Sequence, residues 1–123
     1  MATYTPKKTL GDLLLIEVCP GWTKERGPLA GGAEYSLGTV LAKVSGKYQA
    51  LDPAGSGTAK KAVAVLAEDV DASAGDTPGL LIARGATVAL DELVWPAGIT
   101  DAQKATALDE LTAQGIVSCA VLQ

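Results

Sequence analysis

Several residues have types and spacing that could do chemistry, and each set lacks a partner it would need. Asp69, Asp71 and Ser73 recur at every second position, as in a calcium-binding loop. Ala74, however, replaces the glycine of that loop's sharp turn, and Leu80 stands where its closing glutamate belongs. Gly55-Ser56-Gly57-Thr58-Ala59-Lys60-Lys61 has the glycine and lysine content of a phosphate loop. It lacks the Gly-Lys-Ser/Thr order, and a β-rich run follows it where a helix should start. Asp91 and Glu92 could share acid and base roles, but neighbours on a strand point to opposite faces. Cys19 and Cys119 could act as nucleophiles only without a histidine base, because the chain has no histidine. The same absence removes Ser-His-Asp catalysis and His-ligated zinc or haem. No catalytic residue, cofactor site or metal site is therefore expected.

What remains is a scaffold, and its composition sets limits. The 123 residues fit one domain, and 48% are apolar, yet there is no Phe, one Met, two Trp and three Tyr. A core of small side chains gains little burial per residue, at about 25 cal/mol per Å², so association with further copies would add what the monomer lacks. The net charge of −4 and pI near 4.6 oppose binding to phosphate backbones, so nucleic acid is not an expected partner. The longest apolar run, Ala62 to Ala67, is far short of the roughly 20 residues that span a membrane. Leu13 to Ile16 is too short for a signal-peptide core. A soluble protein made in the cytosol, with both thiols reduced and largely buried, is the expectation.

The elements follow from pattern. Residues 1–36 read as an extended arm carrying one β-prone run, Leu13-Leu14-Leu15-Ile16-Glu17-Val18, ended by Pro20-Gly21 and followed by the charged, glycine-rich stretch Trp22 to Gly32. Residues 37–123 read as a β-rich domain. Thr39–Val44 and Lys47–Leu51 flank Ser45-Gly46 as a hairpin. Lys61–Ala67 is apolar on both alternating faces and predicts a central, doubly covered strand. Leu80–Ala83 and Ala86–Leu90 resume the β pattern around a bend at Gly85.

One helix is expected from Asp101 to Gln114, with Thr100 and Gln103 as a capping box and Gly115 as its left-handed C-terminal stop. Its buried stripe is expected to be Ala105, Leu108, Leu111 and Thr112, with Gln103, Lys104 and Glu110 facing outward. Ile116–Val121 closes the chain as a strand. The fold class is mainly β with one C-terminal helix.

Leu93-Val94-Trp95-Pro96 forces extended backbone before the proline, raises the chance of a cis bond, and makes a corner leading into the helix. The stretch Asp91 to Lys104, with Ala83-Arg84-Gly85-Ala86, Val63 to Asp71, Gly38 to Val44 and Gly46-Lys47-Tyr48 ahead of it, resembles the lambda-type head decoration protein family of tailed bacteriophages. The likeness covers roughly residues 37 to 121 in order and is weaker before residue 30.

That resemblance implies a β-clip-like homotrimer on the outer surface of the expanded phage head, at three-fold positions, with the major capsid protein as partner and the virion as its location after synthesis in the host cytoplasm. The arm residues expected to touch the capsid are Tyr4, Leu13, Leu14, Leu15, Ile16, Glu17 and Val18, adding as a strand to a sheet edge. Trp95, Pro96, Thr100 and Gly115 are expected to serve architecture. The rival reading is a small ligand- or carbohydrate-binding β module with Trp22 or Trp95 as a stacking platform.

Overall fold

The computed structural model describes residues 10–17 and 20–119. Tyr4, Val18 and Cys19 lie outside the described residues. The chain passes through one helical turn, α1 (Leu10–Leu13), strand β1 (Leu14–Glu17), a second turn, α2 (Pro20–Thr23), and strands β2 (Lys24–Leu29), β3 (Glu34–Tyr35), β4 (Val40–Val44) and β5 (Lys47–Ala50). A 3₁₀ turn (Gly57–Lys60) leads to β6 (Ala64–Leu66), β7 (Val70–Asp71), β8 (Thr77–Ile82) and β9 (Ala86–Ala89), and then come helix α3 (Asp101–Ala113) and β10 (Ile116–Cys119). The fold is mainly β with one full helix near the C-terminus, as the patterns predict.

Five strands close a barrel in the order β2-β5-β4-β6-β8, with β2 and β5 joined at the single pair Leu29 and Tyr48. The expected hairpin is β4 and β5, paired antiparallel around Ser45 and Gly46, both at positive φ (53° and 81°), as a type I′ turn requires. The doubly covered strand is β6, all three residues buried between β4 and β8.

Alternation along the central strands serves two cores. Leu41, Ala64, Leu66 and Leu81 point into one cluster with Leu29 and Tyr48, while Val40, Ala42, Val65 and Ile82 point into a second cluster with Leu13, Val88, Leu111 and Ile116. A wall of strands apolar on both faces thus fills the barrel on one side and supports the helix and β9 on the other.

The separate arm over residues 1–36 is corrected for its described part. Strand β2 is a barrel stave, antiparallel to β8 from Lys24 opposite Ile82 to Leu29 opposite Thr77. Strand β1 pairs with β9, and Leu13 is fully buried against the second core. The β2 stave was hidden because glycine and proline are poor strand formers, and here they are wanted for space. Gly27 pairs with Gly79, and a Cβ on Gly27 would stand 2.6 Å from Tyr48 Cε2, one on Gly79 2.8 Å from Leu29 Cδ1.

The helix is one residue shorter than expected, and its buried face is shifted. Ala107 and Leu111 are buried, Leu108 is half-buried, and Ala105 and Thr112 are exposed. Glu110, expected to look outward, is turned inward, with Oε1 accepting the Ala62 N–H at 3.1 Å. The apolar stripe was misplaced because in an alanine-rich helix several faces look equally apolar.

The corner before the helix forms without a cis bond: among the described residues every peptide is trans. Val94 is strapped beside the start of β4 by Val94 N–H to Gly38 O (2.8 Å) and Val40 N–H to Val94 O (3.2 Å). Trp95 and Pro96 are half-buried, and Trp95 packs on the second core.

Candidate functional site

The three-stranded sheet β1-β9-β10 is the place where the fold leaves apolar surface uncovered. Strand β9 is its centre, antiparallel to β1 and parallel to β10, so among the described residues β1 and β10 form two open edges. Its inner face is buried: Val88 is fully covered, and Ala86 and Ile116 nearly so. Its outer face carries a row across all three strands, because Ile16 and Val117 both sit opposite Thr87. Directly paired residues point to the same face. Ile16 is 60% exposed and Val117 47%, and Thr87 between them is half-buried. The register slips between Leu14 and Ile16, a bulge that leaves Leu15 also exposed.

Trp22 stands at the head of β9. The residue before that strand, Gly85, has φ +59°, and a Cβ there would lie 2.3 Å from Trp22 Cζ3. The ring therefore rests on bare backbone. Beneath it Thr23, fully buried, donates from Oγ1 to Gly85 O at 3.1 Å, while its carbonyl accepts the Ala83 N–H at 2.9 Å. Arg84 donates to the Trp22 carbonyl and to Glu25 Oε2 (3.1 Å), with its guanidinium carbon 5.9 Å from the ring centroid. Trp22 as a residue is still half exposed to solvent. Beside it, Lys24 Nζ lies 3.1 Å from Glu17 Oε2, an ion pair without hydrogen-bond alignment.

The expected contact residues thus divide. Leu15 and Ile16 are on this face. Leu13 is buried and Leu14 half-buried, because α1 tucks them under β9 and α3, so Leu13 is withdrawn as a contact residue. Glu17 is engaged with Lys24. Thr87 and Val117 were missed as surface residues, and Trp22 had been considered only as a ligand platform. The available signal was an exposed-type position in each of two short runs, but without the register Thr87 and Val117 could not be placed beside Ile16.

Thr100 and Gly115 stand at the two ends of α3. Thr100 Oγ1 accepts the Gln103 N–H at 3.1 Å, and Gln103 Oε1 accepts the Thr100 N–H at 2.9 Å, completing the capping box. Gly115 has φ +86° directly after the helix.

Two of the carboxylates with chemical potential make contacts within the fold. Asp69 Oδ1 accepts the Leu37 N–H at 2.7 Å, tying the β6–β7 connection to the start of β4. Asp71 Oδ1 accepts from the Ser73 hydroxyl and then from its backbone N–H, contacts that in this order hold its carboxyl below the usual carboxylate range. Cys119 is exposed, which corrects the expectation of burial, since it lies on the last strand of the sheet's edge. Two hollows border Trp95, one of about 210 Å³ with Tyr35, Ser36, Thr39 and Pro96 in its wall, and one of about 370 Å³ between Leu90, Asp91, Leu93, Lys104 and Leu108. The Tyr35 hydroxyl in the first donates to Ala30 O at 2.7 Å.

Among the described residues no group of three or more His, Cys, Asp or Glu is placed to hold a metal ion, and no helix is long and apolar enough to cross a membrane. A search of curated proteins found no match. A family model described as bacteriophage lambda head decoration protein D matches residues 3–116.

Proposed function

The chain belongs to the bacteriophage lambda head decoration protein D family, a structural component of the phage capsid, and on that premise we propose that it is a cement that binds the outside of the expanded head as a homotrimer. Its partner in this reading is the major capsid protein, its contact the N-terminal segment with Tyr4, Leu15 and Ile16, and its role to stiffen the shell against the pressure of packaged DNA. The observation that carries the contact is β1, an edge strand whose bulged residues Leu15 and Ile16 are exposed. An edge strand offers its outer row of N–H and C=O groups to an added strand.

Three-fold symmetry suits the task, because three equal patches on one particle multiply weak single contacts into avidity of the order of 10² to 10⁴. Five alanines and three valines stand among the fifteen buried residues of the second core, and burial between copies would supplement it. Residues 1–9 belong to the contact in this proposal.

The test is direct. Sedimentation equilibrium should give three times the chain mass, and the protein should pellet with empty expanded heads but not with unexpanded precursors. A monomer at high concentration that leaves expanded heads undecorated would defeat the reading.

A further inference from the structure

Among the described residues, the large exposed hydrophobic side chains are Leu15, Ile16, Trp22 and Val117, and the fold gathers them around one strand, β9. They come from distant parts of the sequence, and none is needed outside to complete a core. Scattered singly they would need no explanation, but collected on one small sheet they mark a docking face.

From this gathering we infer that the outer face of β1-β9-β10, and not the N-terminal strand edge alone, is the shell-binding surface, with Trp22 as its anchor and an uncharged, apolar stretch of the capsid subunit as its occupant. This rests on the capsid-decoration reading above.

Charge decides the chemistry of the occupant. Among the described residues, two ion pairs border the face, Arg84 with Glu25 and Lys24 with Glu17, each matched within the chain and leaving no net charge for a partner to neutralise. Such a face selects apolar side chains. Trp22 has the attributes of an anchor: a half-exposed residue with a large ring, whose position is set in advance by Gly85 below and Arg84 beside it, so little ordering is lost on binding. The sheet also lies where the chain ends depart, residues 1–9 running into α1 and residues 120–123 continuing from β10. On the decoration reading the N-terminal segment, which joins this sheet through α1, contacts the shell as well, and that favours the shell over a second copy stacked face to face.

The experiment uses the full chain and purified empty expanded heads. Trp22→Ala should weaken binding by roughly 30-fold or more per site. Because Trp22 also braces Gly85, the exposed double variant Ile16→Lys with Val117→Lys serves as the second arm. It should lose head binding to a similar extent while keeping the wild-type melting temperature and sedimentation mass. Wild-type binding should change little between 50 and 500 mM salt, as expected of an uncharged contact.

Unchanged binding by the double variant overturns the inference. So does a fall in its sedimentation mass, which would assign the face to contacts between copies, and so does a steep loss of wild-type affinity with salt. If wild-type protein itself ignores expanded heads, the decoration reading fails first and this inference with it.

Discussion

The Trp22 ring occupies the space in front of Gly85, where a Cβ would stand 2.3 Å from Cζ3 and 3.0 Å from Cε3. The contact joins α2 to the bend between β8 and β9, and so couples the barrel to the small sheet. Gly85→Ala meets this ring and also strains a φ of +59°. The expected cost is about 2–3 kcal/mol, with the Trp22 emission altered in the folded state. Urea unfolding followed by fluorescence checks it, and an unshifted midpoint would show that the ring yields freely.

Inside the barrel the corresponding pair is Gly27 and Tyr48. Gly27→Val should destabilise by about 1–3 kcal/mol, because the added atoms would displace the Tyr48 ring and Leu81 in a lumen already filled. Equilibrium unfolding by far-UV circular dichroism measures this. Equal stability would mean that the lumen holds spare room.

These two glycines also explain how legible the fold was. The hairpin, the doubly covered β6 and the capped helix follow from short-range signals: a Ser-Gly turn, an apolar run and a Thr-x-x-Gln box. Strand β2, Lys-Glu-Arg-Gly-Pro-Leu, has no such signal, since its reason for being a strand lies in Tyr48, Leu81 and β8, all far away in sequence. The candidate face was legible only where it coincides with a local run, at Leu15 and Ile16. The bend at Gly85 was legible too, but Thr87, Val117 and Trp22 join the face through register and through the Trp22 contact with Gly85, which the residues around them do not encode.

Asp76 connects three elements. Its Oδ1 accepts the Gly31 N–H at 2.8 Å and its Oδ2 meets Lys47 Nζ, and these contacts, the lysine first, hold its carboxyl below the usual range. A carboxyl depressed on folding contributes stability that is present above its unfolded value of about 3.9 and is lost as pH falls through the folded value. Wild type should therefore lose melting temperature on going from pH 5 to pH 3 more steeply than Asp76→Asn, which should melt lower at pH 7. Parallel curves for the two proteins would remove Asp76 from the acid response.

Trp95 is half-buried against the second core, so truncation to Ala should cost about 2–3 kcal/mol, less than the loss of a fully covered tryptophan. Thr100→Ala removes one half of the capping box and should cost about 1 kcal/mol. Thermal melts of the two single variants and of the double variant would show near-additivity, since the corner and the cap act on different contacts. A Trp95→Ala protein melting with wild type would take Trp95 out of the architecture.

Two truncations separate the N-terminal contact from the fold. Removing residues 1–9 leaves α1, β1 and their partners in place, so the melting temperature should stay close to wild type while head binding weakens. Removing residues 1–20 also deletes Leu13, which has no exposed surface, and the whole of β1, uncovering one edge of β9. A buried leucine alone is worth about 2–5 kcal/mol, so this second truncation should unfold far more readily. Its failure to bind heads would then report lost structure and not a lost contact. The informative comparison is the shorter truncation against Ile16→Lys with Val117→Lys, by pelleting with expanded heads. If the truncation binds as wild type does and the double variant does not, Tyr4 leaves the contact and the sheet face alone holds the shell.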